Sequence, residues 1–186
     1  MKFKLVPEPP DAVRLVADAQ AAVPLVPGPE DDCCARLMDR VGFRSRDVAR
    51  TWLTFLRALG LAEETDDGFR RLRTEPTLER VRGGVLSGVY GAGDVADALI
   101  AAGGTTAERD PAGPLAADAA FEAFVDRVPE WERYRTDDWE SVWRERVERL
   151  LGWLVVLDLA EERADGYVAT DRLRELRPDG DDGTGG

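Results

Sequence analysis

Histidine and asparagine are absent from these 186 residues, glutamine and isoleucine occur once each (Gln20, Ile100), and lysine occurs only as Lys2 and Lys4. Without histidine the usual proton carrier near neutral pH is missing. The three serines, Ser45, Ser87 and Ser141, have no base close to them in sequence, so acid–base and nucleophilic catalysis lack candidate residues. Acidic pairs such as Glu63-Glu64 and Glu161-Glu162 read as solvated surface. The chain is therefore expected to be no enzyme and to hold no cofactor. Its two cysteines, Cys33 and Cys34, are neighbours that cannot staple distant segments and have no histidine to complete a metal site, so they read as reduced thiols on a helix, with a redox switch through a strained vicinal disulfide as the alternative. No stretch approaches the roughly 20 apolar residues of a membrane span. Pro7, Pro9 and Pro10 stand where a signal peptide needs an apolar run, and a cytoplasmic protein is expected. The glycine-rich run from Gly88 to Gly93 lacks the preceding strand and the lysine of a phosphate-binding loop, and reads as a flexible helix junction.

What is present is acid, arginine and aromatic residues. The chain has 37 acidic side chains against 25 basic ones, a net charge of -12, with five Trp, six Phe and three Tyr in a composition that is 44% hydrophobic. A disordered acidic chain would lack those anchors. At this length one ordinary domain or two small ones can each bury a core. Arginine in place of nearly all lysine, and acid in excess, resemble the composition of proteins from GC-rich, halophilic archaeal organisms that hold molar salt. On that reading the acidity answers to solvent. Because the screening length falls to about 3 Å at 1 M salt, net negative charge does not veto binding to nucleic acid.

An internal repeat is the strongest signal. Trp52–Phe69 aligns with Leu150–Tyr167 at a constant offset of 98, with Leu53, Leu56, Leu59, Leu61, Ala62, Glu63, Glu64, Asp67 and Gly68 identical to their counterparts. The unit reads physically as a helix running into a hairpin. Ser45 can cap a helix whose Val48, Trp52, Phe55, Leu56 and Leu59 share one face. Gly60 ends it, Leu61–Thr65 and Phe69–Arg73 read as strands, and Asp66-Asp67-Gly68 as the tight turn between them. Upstream, Asp11–Val23 and Asp31–Val41 are amphipathic, separated by the Pro24-to-Pro29 break, and Gly42 ends the second.

This order, with LRALGLAEE leading into DDGF, resembles the winged-helix family, in which a third helix ends in a Leu-Gly-Leu-like turn that feeds the wing. The resemblance covers Asp11–Arg73 and, more loosely, Leu115–Thr170. It implies a mainly α fold with short β-hairpins (α+β), built as two winged-helix-like units. The expected division is 1–76 for the first unit, 77–177 for a second with extra helices, and 178–186 for a disordered acidic tail. Thr77–Ala102 is expected to supply one or two helices that open the second unit. In that unit the stretch from Pro129 to Thr136 is long for a turn between the second and third helices, and has room for an insertion.

In DNA-binding members the third helix enters the major groove and the wing lies against the backbone, so the resemblance implies double-stranded DNA as a partner. Arg46, Arg50, Thr54 and Arg57 fall within about 80° of one another on a helical wheel. Arg44 precedes them, and Arg70, Arg71 and Arg73 sit on the wing. These seven arginines are the expected DNA-binding residues. At offset 98 the stripe becomes Arg144, Glu148, Gly152 and Val155, and its positive face is gone. There Leu151, Trp153, Val155 and Val156 cover directions beyond the apolar stripe, so the helix is covered by the first unit or by another chain. Self-association as a dimer, or a protein partner, is expected on this side. Leu53, beside the arginine stripe and repeated as Leu151, speaks for protein contact too. Two readings stand: a transcription-regulator-like DNA-binding protein that assembles through its second unit, or a non-enzymatic scaffold of tandem winged helices, similar to kleisin partners, ESCRT-II subunits or TFIIE-like factors, that does not touch DNA.

Overall fold

A computed structural model describes residues 2–103, 113–134 and 137–177, so the tail expected from 178 onward and Thr136 lie outside the described residues. The chain forms two units, Met1–Ala92 and Gly93–Gly186. The first holds α1 (Arg14–Ala22), α2 (Glu30–Val41), α3 (Arg46–Ala58), the hairpin β1 (Ala62–Thr65) and β2 (Gly68–Arg71), and α4 (Leu78–Gly88). That is the winged-helix order. Gly42 takes the left-handed conformation, φ 84, that closes α2, which a residue with a Cβ adopts only at a cost. Ser45 is extended, and its hydroxyl accepts the Val48 amide at 3.2 Å, satisfying a donor that the start of α3 would otherwise leave bare. Ala49, Trp52, Leu53, Phe55, Leu56 and Ala58 are buried along α3.

The hairpin pairs Ala62 with Arg71 and Thr65 with Gly68, leaving Asp66-Asp67 as its two-residue turn. A third strand is reduced to a bridge: Gly28 and Phe69 exchange both backbone hydrogen bonds, at 3.0 and 2.8 Å, and the Arg71 amide donates to the Pro24 carbonyl at 2.8 Å. Proline at 24, 27 and 29 keeps this outer segment short, because proline cannot donate to a further strand. Cys33 lies beneath the bridge, its thiol donating to the Gly28 and Phe69 carbonyls at 3.7 and 3.8 Å. Cys33 and Cys34 are both free and buried. Burial pushes both thiols above the ordinary range, and their proximity adds to this for Cys33, so neither has the thiolate character of a reactive cysteine.

Gln20 ties helix to wing. Its buried amide nitrogen donates to the Leu61, Leu72 and Thr74 carbonyls at 3.3, 3.1 and 2.8 Å. Gln20→Leu keeps the volume but orphans those acceptors, and is expected to cost about 2 kcal/mol in a denaturant titration.

The division after Ala92 puts α4 in the first unit, whereas a boundary at 76 assigns that segment to the second. Thr77 caps α4 by accepting the Arg80 amide. Gly88 lets the helix approach the end of α3 so closely that a Cβ there would lie 2.0 Å from the Ala58 carbonyl oxygen. The next residues are not a loose junction: Phe3 and Val89 form a bridge, with the Phe3 amide donating to Gly88 at 2.9 Å and the Tyr90 amide donating to Phe3 at 2.8 Å. Gly91, φ 85, then turns the chain.

In the second unit follow α5 (Ala92–Ala102), α6 (Ala117–Phe124), a 3-10 turn (Val125–Arg127), α7 (Glu130–Arg133), α8 (Trp139–Val156), β3 (Ala160–Arg163), β4 (Gly166–Ala169) and α9 (Asp171–Leu176). The repeat holds to single hydrogen bonds. Leu61 N–H to Leu56 O, 2.9 Å, recurs as Leu159 to Leu154, 2.8 Å, and Leu72 to Leu61 recurs as Thr170 to Leu159. The left-handed Gly60, φ 66, becomes Asp158, φ 54, a residue type that tolerates this region better than most. The bridge of Gly28 to Phe69 becomes Leu115 to Tyr167. Leu115, however, stands 87 positions after Gly28, 11 short of the repeat's 98. At that offset α6 and the 3-10 turn together take the place of α2, so the 11 extra residues lie between Pro129 and Arg144, the counterpart of Arg46, where α7 and the first residues of α8 stand; this is the insertion for which the long turn from Pro129 left room.

Candidate nucleic-acid interface

The solvent-facing arc of α3 carries Arg46, Asp47, Arg50 and Thr54, with Arg44 on the turn before it. Leu53, which the helical wheel places beside this arc, is 1% exposed. Its burial corrects the expectation of a protein contact there: the neighbours of α3 wrap further around it than the stripe alone suggests. The face beside the arginines therefore has no bulky aliphatic on it. Leu151 and Trp153, each 0% exposed, are buried by one chain alone, so no second chain is needed to cover them; Val155 and Val156 are half-buried.

The seven arginines do not form one patch. Arg46 pairs with Asp31 at 2.5 Å and Arg50 with Glu30 at 2.7 Å, both acids coming from the first turn of α2. The Glu30 hydrogen bond, with that carboxylate's charge next, holds the Arg50 guanidinium above its ordinary range. Arg44 lies 3.7 Å from Glu8. On the outer face of the wing, Arg70 donates to Glu63, its partner across the hairpin, at 2.6 Å.

Two of the seven have structural duties. Arg57 pairs with Glu64 at 2.8 Å and lies over the Phe3 and Phe69 rings, 5.1 and 5.5 Å from their centroids, fastening α3 to the wing and the N-terminal segment. Arg71 donates to the Ala21 carbonyl at 3.2 Å, while Arg36 donates to Ala22 at 3.0 Å. The last turn of α1 contains no basic residue, so these two guanidinium groups supply the positive charge that a helix C-terminus favours. Arg73 is exposed and lines, with Gln20, Arg71, Thr74 and Pro76, an open cleft of about 340 Å³.

The corresponding face of the second unit differs. Arg144 keeps the place of Arg46 and pairs with Asp118 of α6 while covering the Phe121 ring. Glu148 stands in place of Arg50 and Val168 in place of Arg70. The exposed aromatic residues of this unit sit instead on and just after α7, where Trp131 is 56% and Tyr134 86% exposed, with Val142 of α8 at 49%. Sequence reasoning did not single out Trp131 and Tyr134, because a segment of four helical residues has no periodicity to set its outer face apart. It also missed Glu30, Asp31 and Glu63 as partners, since an acidic first turn is what any helix start favours. Among the described residues no group of three potential metal ligands comes together and no helix is long and apolar enough to cross a membrane.

The family described as the halobacterial double winged helix domain matches residues 1–174 of the chain. No curated protein and no solved structure matches it.

Proposed function

Since the chain belongs to the halobacterial double winged helix family, we propose that it is a non-enzymatic, cytoplasmic DNA-binding protein of transcription-regulator type, with the first unit as reader. The observation that carries this reading is the solvent face of α3: Arg46, Arg50 and Thr54, framed by Arg44 and the wing's Arg70, with Leu53 withdrawn into the interior. Guanidinium groups along such a helix fit phosphates and guanine edges in a major groove. Arg57 and Arg71 belong to the scaffold beneath that face.

The second unit is the assembling half. Its equivalent helix carries Glu148, which phosphate would repel, and its exposed Trp131 and Tyr134 are the residue types that protein interfaces favour. A pure scaffold is the second reading, favoured by the carboxylate beside each of Arg44, Arg46, Arg50 and Arg70. Fluorescence anisotropy of labelled genomic duplex fragments, titrated with the full chain from 0.2 to 2 M KCl, separates them. Saturable binding supports the DNA reading, and no binding at any salt that keeps the protein folded supports the scaffold.

A further inference from the structure

The ion pairs of the proposed DNA face are only partly kept through the duplication. Arg46 and Asp31 of the first unit are matched by Arg144 and Asp118 of the second, so this pair is common to both and clasps the second helix of each unit to its third. Arg50 and Glu30 are matched by Glu148 and, counting from the bridge before α6, Ala117. That cation and its nearer anion have both gone, while Asp47, 3.6 Å from Arg50, keeps an acidic counterpart in Glu145. On the wing, Arg70 is replaced by Val168, and its partner's counterpart Glu161 pairs with Arg163 instead. Glu30 and Glu63 thus stand opposite two of the arginines that the second unit lacks; Glu30 is lost with its arginine, whereas the acid at 63 is kept as Glu161.

A bare guanidinium that binds phosphate releases the cation condensed there, and each such contact steepens the fall of log K with log salt by about 0.9. A guanidinium already held by a carboxylate behaves differently. If phosphate displaces the carboxylate and a potassium ion from molar salt takes the arginine's place beside it, the ion released from the phosphate is offset by the one taken up, and the exchange releases no net ion. Both pairs are open enough for this: the side chains of Arg50 and Glu30 are 48% and 39% exposed, those of Arg70 and Glu63 45% and 37%. Glu30 also lies in the first turn of α2, where the helix dipole stabilises a carboxylate that has lost its arginine.

We propose that Glu30 and Glu63 are working parts of the DNA surface: built-in counter-ions that phosphate displaces and potassium replaces, so that binding trades ion for ion and persists at molar salt. This rests on the DNA reading above. The test is the anisotropy titration repeated across the KCl series with Glu30→Gln, Glu63→Gln and the double variant, with circular dichroism confirming that each remains folded. The wild type should show a shallow dependence on salt. The double variant should be steeper by about 1.8 in log–log slope, which makes it roughly 18-fold tighter than the wild type at 0.2 M if the two converge near 1 M. Equal slopes in wild type and variants, with both binding, would overturn the exchange while leaving the DNA reading in place. Binding by none of the proteins overturns both.

Discussion

Gly68→Ala is expected to unfold the first unit. The glycine holds φ +115, and a Cβ there would lie 2.2 Å from the Gly28 carbonyl oxygen and 2.6 Å from its carbon. That backbone cannot retreat without losing the reciprocal Gly28–Phe69 hydrogen bonds that attach the wing to the segment before α2. Conformational strain and a lost bridge act together, for a cost above about 4 kcal/mol. The duplicate position gives an internal replicate: Gly166 holds φ +145, and its Cβ would meet the Leu115 carbonyl oxygen at 2.4 Å. Gly83 of α4 is the control, since a Cβ there meets nothing within 4 Å. Gly83→Ala should stabilise by up to about 1 kcal/mol. Thermal melts followed by circular dichroism read all three, and a folded Gly68→Ala protein with an unchanged melt contradicts the account of the wing.

Arg46→Ala with Arg50→Ala is expected to weaken duplex binding by about 100-fold, because an arginine on phosphate or a base edge contributes roughly 1–3 kcal/mol. Stability should barely change. The Arg46–Asp31 and Arg50–Glu30 pairs are largely open to solvent, and exposed pairs contribute about 0–1 kcal/mol each. Arg144→Ala in the second unit removes the counterpart of Arg46 and should leave binding unchanged. The contrast between equivalent positions of one chain separates a DNA contact from a general loss of positive charge.

Most of the fold was legible in the sequence because it rests on local chemistry. A serine that caps, glycines that need left-handed backbone and a Leu-Gly-Leu turn marked out α2, α3 and the hairpin to within a few residues, and the 98-residue offset carried the same reading to α8, β3 and β4. Three features were not legible, each for a physical reason. The place of α4 depends on Gly88 meeting Ala58, a contact between residues 30 apart. Leu53 looks like a surface residue on a wheel, which gives the direction of a side chain but not what covers it. The site itself was half legible: the arginines are visible as a stripe, whereas the carboxylates that hold them come from α2 and the other wing strand, and only the packing of those elements brings them together.

On the DNA reading, α3 of the first unit, and not its duplicate α8, lies against the duplex. A photo-cross-linking amino acid placed at Thr54 or at the matching Gly152, followed by irradiation of each 186-residue variant with labelled duplex in molar KCl and mass spectrometry of the product, tests this. A protein–DNA adduct is expected from position 54 and none from position 152. An adduct from position 152 alone, or equal adducts from both, would contradict it.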